Sequence, residues 1–167
     1  MEPLVDSYGR RIKSMRISIT DKCNFRCTYC MPAEGLPWLK KQEILSYEEI
    51  TRIARIAASI GIEQIRLTGG EPTVRRDLPE LIRLLKPIPG LRSLSLTTNG
   101  VLLKKQASAL AEAGLTRINV SLDSLVREKF AQLTRRDQFD AVIEGLEELE
   151  HYPSIHQIGR ASCRERV

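Results

Sequence analysis

Three of the chain's four cysteines, Cys23, Cys27 and Cys30, fall within eight residues in the spacing C-x3-C-x2-C. Thiolates this close in sequence can converge on one metal centre, yet three of them leave a four-ligand site one short. A structural zinc site takes four ligands, commonly as two separated pairs, and a [4Fe-4S] cubane ordinarily takes four cysteines. With three, one iron keeps a position open to a ligand that is not protein, and an open iron is a place for chemistry. Zinc or a disulfide loop is the plainer alternative, but the second ligand pair or even-numbered framework that these need is missing.

Something regular must deliver that loop and face it with a site. Residues 1–14 are polar and turn-rich and read as an N-terminal arm. Residues 15–19 alternate with period two, which predicts a strand running into the cysteine loop. Ser46-Tyr47-Glu48-Glu49 is a capping box, followed by apolar residues at helical spacing until Gly61. From there a unit recurs. Strands are predicted at 62–68, 93–97 and 117–122, each followed by a turn and a helix. The first helix is capped by Asp77 and stopped by Pro87 and Pro89, the second runs through Leu103 to Gly114, and two segments follow at about 124–133 and 137–150. Strands alternating with helices imply parallel pairing and right-handed crossovers, hence an α/β fold.

One face of these strands is polar. It carries Arg16 and Ser18, then Arg66 and Thr68, then Ser95 and Thr97, then Arg117, Asn119, Ser121 and Asp123. Parallel sheets covered on both faces read as continuous apolar runs, so a polar face on four consecutive strands predicts a barrel, or part of one, enclosing a polar cavity. In such barrels the loops at the C-terminal strand ends form the mouth of the site. The cysteine loop, Gly69-Gly70-Glu71, Thr98-Asn99-Gly100 and Asp123-Ser124 all fall there. A flat sheet with one solvated face is the alternative.

Composition sets the outer bounds. A chain of 167 residues, 42% hydrophobic and 28% charged, is about one globular domain. No apolar run reaches membrane-span length, and residues 1–8 do not read as a signal peptide. The expectation is a cytoplasmic protein without membrane contact, whose thiols stay reduced. Arg160, Arg164 and Arg166 against Glu165 account for +2 of the net +5. Most other basic residues alternate with acids along helices, the pattern of solvated faces. Nucleic acid is therefore not expected as a partner, whereas an anionic small molecule suits the modest excess. No G-x-x-x-x-G-K-[ST] occurs, which excludes a P-loop.

The C-x3-C-x2-C loop resembles that of the radical S-adenosylmethionine (SAM) enzymes. Four stretches together resemble the GTP 3',8-cyclase family within it: residues 21–32, Arg66-Leu67-Thr68-Gly69-Gly70-Glu71-Pro72, Thr97-Thr98-Asn99-Gly100 and residues 117–124. The likeness runs from about residue 9 to 150. It implies the N-terminal part, about four βα units, of a partial parallel (β/α)6 barrel. It also implies a lyase that cyclises GTP to (8S)-3',8-cyclo-7,8-dihydroguanosine 5'-triphosphate, the first step of molybdenum cofactor biosynthesis. Cys23, Cys27 and Cys30 would hold a [4Fe-4S] cluster whose fourth iron is chelated by SAM. An electron passed to the sulfonium would generate a 5'-deoxyadenosyl radical that abstracts the C3' hydrogen of GTP.

By the same resemblance Tyr29, Gly70 and Ser121 contact SAM, while Arg16, Arg66 and Thr97 contact GTP. Each has another reading. Tyr29 could anchor the loop, Gly70 could serve a tight turn alone, and an arginine could pair with an interior carboxylate such as Asp123. Thr97 and Ser121 could make structural hydrogen bonds. Glu71 is expected to brace the loop, and His151 and His156 to lie at the surface. An electron donor is required but not identified, and the full-length family allows a homodimer.

The sequence departs from the family at its end. The further βα units, the basic residue on the next strand and the three cysteines of a second [4Fe-4S] cluster are not encoded. Residues 157–167 lack alternation and family likeness and are read as a non-native tail, so Cys163 is not a candidate ligand. The barrel domain is accordingly set at 15–156, and the chain is expected to be an incomplete, poorly soluble and inactive fragment. Two other readings stand beside this one: another radical SAM enzyme, such as a peptide-modifying maturase, and a non-catalytic metal-binding module.

Overall fold

The structure, a computed structural model, describes residues 4–161, with side-chain surroundings through residue 156. Cys163 and the rest of the segment beyond Ala161 lie outside the described residues. Five strands form one parallel sheet in the order of the chain: β1 Ser14–Ser18, β2 Gln64–Thr68, β3 Ser93–Thr98, β4 Arg117–Leu122 and β5 His156–Ala161. Between them stand α1 Tyr47–Ser59, α2 Leu78–Leu85, α3 Leu103–Ala113, α4 Arg127–Thr134 and α5 Phe139–Leu149. Each crossover steps one strand in the same direction, so right-handed connections place the helices on one face of the sheet.

That face holds the core. Ile65, Leu67, Leu94, Leu96, Ile118 and Val120 of the strands pack with Ile50, Ala54, Leu81, Ile82, Leu103, Leu110 and Val142 of the helices, all of them buried. Among the described residues no helix is long and apolar enough to cross a membrane.

The four expected βα units are present and a fifth strand is added to them. β5 pairs with β4 from Arg117↔His156 to Leu122↔Ala161, so the boundary drawn at residue 156 falls inside a strand. Side-chain alternation carries no signal for such a strand, whose pairing satisfies backbone N–H and C=O groups whatever the side chains are.

Local signals mostly hold. The Ser46 hydroxyl accepts from the Glu49 amide while the Glu49 carboxylate accepts from the Ser46 amide, and the box opens α1 as expected. Asp77 differs. It stands at the start of α2, but in a left-handed conformation, φ 57°, and its side chain makes no cap bond.

Candidate functional site

The cysteine loop follows β1 and lies over the C-terminal strand ends. Cys23 and Cys27 are half-buried, Cys30 is exposed, and all three are free thiols. The amides of Cys30 and Met31 both donate to the Cys27 carbonyl, each at 3.0 Å, closing a tight turn. Phe25, within the loop, is buried edge-on against Phe130 of α4, with ring centroids 5.7 Å apart. Burial pushes the Cys23 and Cys27 thiols above their ordinary range, and the charge of Cys30 adds to the rise in both. A bound cation reverses that preference and deprotonates its thiol ligands.

Among the described residues no three His, Cys, Asp or Glu side chains converge tightly enough to ligate one metal ion. A cubane asks for a wider arrangement, because each thiolate binds a different iron. Three free thiols on one short loop, two of them half-buried, are the donor set that a cubane with one open iron would take.

Behind the loop lies the Gly69-Gly70 turn. A Cβ at Gly70 would run into the carbonyl oxygens of Asp21 and Lys22, and one at Gly69, where φ is 151°, into that of Thr20. The close approach lets the amides of Gly70 and Glu71 donate to the carbonyls of Thr20 and Lys22, at 2.7 and 2.8 Å. The turn is thereby fastened to the base of the cysteine loop.

Glu71 is 2% exposed and does brace this region. Its Oε1 accepts from the Thr73 amide and from the hydroxyls of Thr73 and Thr98, and its Oε2 accepts from the Asn99 amide. Burial pushes its carboxyl upward against these four bonds, which favour the charged form. Asn99 in turn donates from Nδ2 to Asn24 Oδ1 in the cysteine loop, at 2.7 Å. The loops after β1, β2 and β3 form one network.

Tyr29 is 56% exposed and its hydroxyl donates to Asp123 Oδ2 at 2.7 Å, tying the cysteine loop to the end of β4. Burial of the phenol, with that carboxylate beside it, drives its ionisation far above the ordinary range. The loop-anchor role is thus present in the structure. Asp123 is engaged by Tyr29, and neither Arg16 nor Arg66 is in an ion pair among the described residues.

The strand register lines up the polar face in rows. Arg16, Arg66, Ser95, Arg117 and His156 are successive partners across all five strands. The three arginines share a hollow of about 230 Å³ with Ser14, Gln64 and Ser93. Toward the strand ends Thr97 pairs in register with Asn119, whose buried Nδ2 has no partner among the described residues. Ser121 lies beyond it, exposed. A more apolar hollow of about 390 Å³ borders Asp21, Gly69 and Gly70 on the side of Leu39, Ile44 and Leu45. The sequence reading placed Arg117 and Asn119 on the polar face but nominated neither. Alternation was the signal that could have found them. His151 and His156 are exposed, as expected.

A family model for the radical SAM superfamily matches residues 17–155. The chain belongs to the radical SAM superfamily. It is 56% identical over 145 residues to a protein named GTP 3',8-cyclase from Paenarthrobacter nicotinovorans, covering 86% of this chain and 41% of that protein. It is 46% identical over 154 residues to molybdenum cofactor biosynthesis protein moc-5 of Caenorhabditis elegans, covering 92% of this chain and 26% of the relative. The chain thus spans less than half the length of either. Among solved structures, Streptococcus suis SuiB bound to S-adenosylmethionine superposes with a TM-score of 0.73 at 20% identity, over 92% of this chain and 35% of that one. This likeness establishes the fold, a partial radical SAM barrel.

Proposed function

We propose that this chain is the cluster- and SAM-binding portion of a GTP 3',8-cyclase, acting in the first step of molybdenum cofactor biosynthesis. The observation that carries the reading is the cysteine loop bonded into the mouth of a parallel sheet whose interior face carries a row of three arginines. The relatives support it, one named for this cyclase and the other for molybdenum cofactor biosynthesis.

In this reading Cys23, Cys27 and Cys30 hold three irons of a [4Fe-4S] cluster and leave the fourth to SAM. When bound, that pair supplies the one-electron cleavage of a carbon–sulfur bond that starts radical chemistry. The chain's own residues bind and orient. Gly70 offers an exposed backbone without a side chain, Tyr29 flanks the open position, and Ser121 presents a hydroxyl at the end of β4. Arg16 and Arg66 offer forked donors to the triphosphate, and Thr97 contacts the nucleotide between the arginine row and the mouth. The unpartnered Asn119 amide beside it is a buried donor that a polar ligand would satisfy. Orientation of this kind is what the protein contributes to a reaction whose reactive group belongs to the cofactor.

An external one-electron donor, a cytoplasmic location and a homodimer of the full-length enzyme belong to the same reading, as does the division into an N-terminal arm and one barrel domain. Resequencing the gene through codon 157 tests whether 157–167 is in the native frame.

Anaerobic reconstitution with iron and sulfide is the direct test of the cluster. The expected product is brown, carries about four irons per chain and loses them in Cys27→Ser, and its GTP binding weakens in Arg66→Ala. A colourless protein holding one zinc with equal affinity would overturn the reading.

A further inference from the structure

The end of α4 and the cysteine loop are joined more closely than neighbouring elements need to be. The last carbonyls of a helix have no partner within it, and in α4 two of them are satisfied by the loop. The Arg26 amide donates to the Thr134 carbonyl at 3.0 Å and the Thr28 amide to the Leu133 carbonyl at 2.8 Å. These two amides flank Cys27. The next residue, Arg135, then turns back over the loop. Its Nη1 donates to the carbonyl of Met31 at 3.0 Å and reaches that of Arg26 at 3.4 Å, so one guanidinium spans the stretch holding Cys27 and Cys30.

Arg135 does this from a strained backbone. It caps α4 in the left-handed region, φ 54°. A helix that ends this way normally does so on glycine, as α3 does at Gly114. The buried Thr134 hydroxyl, which donates to the Phe130 carbonyl and accepts from the Arg136 amide, holds the backbone on either side of this turn, and among the described residues the Arg135 guanidinium bonds only the two loop carbonyls.

We propose that α4 is a clasp for the cysteine loop and that Arg135 is its positioning residue, setting the shape of the segment from Arg26 to Met31 so that Cys27 and Cys30 are presented together. The inference rests on the reading of this loop as a cluster site, but the clasp itself is measurable without a cluster. It is a role in holding ligands, not in touching substrate.

The test compares the full chain with Arg135→Gly and Arg135→Asn, both of which accept the left-handed conformation while removing the guanidinium. In the metal-free protein, amide exchange at Arg26 and Thr28 is expected to speed up by about tenfold while the β3 and β4 amides stay unchanged. The melting temperature should stay the same or rise, because strain is relieved. In the reconstituted protein, a chelator should strip iron faster from both variants, and their electron paramagnetic resonance signal should broaden. Free guanidinium at millimolar concentration should restore wild-type exchange in Arg135→Gly.

Unchanged exchange at the two amides in either folded variant overturns the clasp. So does a general loss of protection across the strands, since that marks Arg135 as a fold-wide support. Failure of the wild-type chain to take up iron overturns the cluster reading instead, and leaves the exchange comparison to decide the clasp alone.

Discussion

Glu71 shows how a buried carboxylate serves a site without touching it. Its four hydrogen bonds join the loops after β2 and β3, and through Asn99 and Asn24 they reach the cysteine loop. Glu71→Gln replaces one acceptor oxygen by a donor that must face another donor. The expected cost is about 1–3 kcal/mol in denaturant unfolding at neutral pH. The pH dependence has a definite sign. Burial raises the folded-state value above the ordinary 4.5, so between the two values the native state holds a proton that the unfolded chain has released. Wild-type stability relative to Glu71→Gln is therefore fully present below 4.5 and falls as pH rises through the folded value. Urea midpoints of both proteins across that window check this, and a gap that widens with pH would contradict it. From the sequence Glu71 could be placed beside the glycines and expected to brace. Its bonds from Thr73 are local, but those from Thr98 and Asn99 could not be read, because these residues lie a whole βα unit away.

At the scale of elements, short-range signals were the legible ones. The Ser46 box set the start of α1 correctly because both of its bonds are local. Ser46→Ala should cost about 1 kcal/mol, seen as a fall of about 2–4 °C in melting temperature for a chain of this size. Glu49→Ala on top of it should add less than it costs alone, since the two bonds are reciprocal. Asp77 resembled an N-cap and stands at the right place, yet its left-handed backbone turns the side chain away from the role. Period-two alternation found β1 to β4 because each has one face on the helices and one on the polar cavity. The same rule had nothing to read in β5, and in the cysteine loop it could not foresee that α4 would supply the partners of Arg26 and Thr28. Those contacts join residues more than a hundred positions apart, which only the closed fold brings together.

At the scale of the molecule, the arginine row is a standing electrostatic demand. Arg16, Arg66 and Arg117 line one hollow without a carboxylate among them, so the folded state gains most from an anion that binds all three. Inorganic triphosphate is expected to raise the melting temperature, by an amount equivalent to about 2.7 kcal/mol at a hundredfold excess over its dissociation constant. The gain should shrink as salt is raised and should fall in Arg117→Ser as well as in Arg66→Ala. Scanning calorimetry with and without triphosphate checks this, and an equal shift in wild type and both variants would place the anion elsewhere. The sequence showed the charges and their face. It did not show that register brings them into one row, because strand offsets depend on how the crossovers pack.

The order of the strands along the sheet also fixes an order in time. Because each βα unit docks beside the one before it, the domain can assemble from its first strand onward as the ribosome releases it. The cysteine loop emerges early, just after β1, whereas α4 begins only at Arg127. At about 5–20 residues per second, the roughly hundred residues between them take on the order of 5–20 s to make. Through that interval the three thiols are already displayed at the mouth of a growing sheet with no clasp behind them. In the proposed reading, the loop is set for its cluster only once the fourth unit has left the ribosome, so an early segment of the chain is among the last parts of the domain to be fixed.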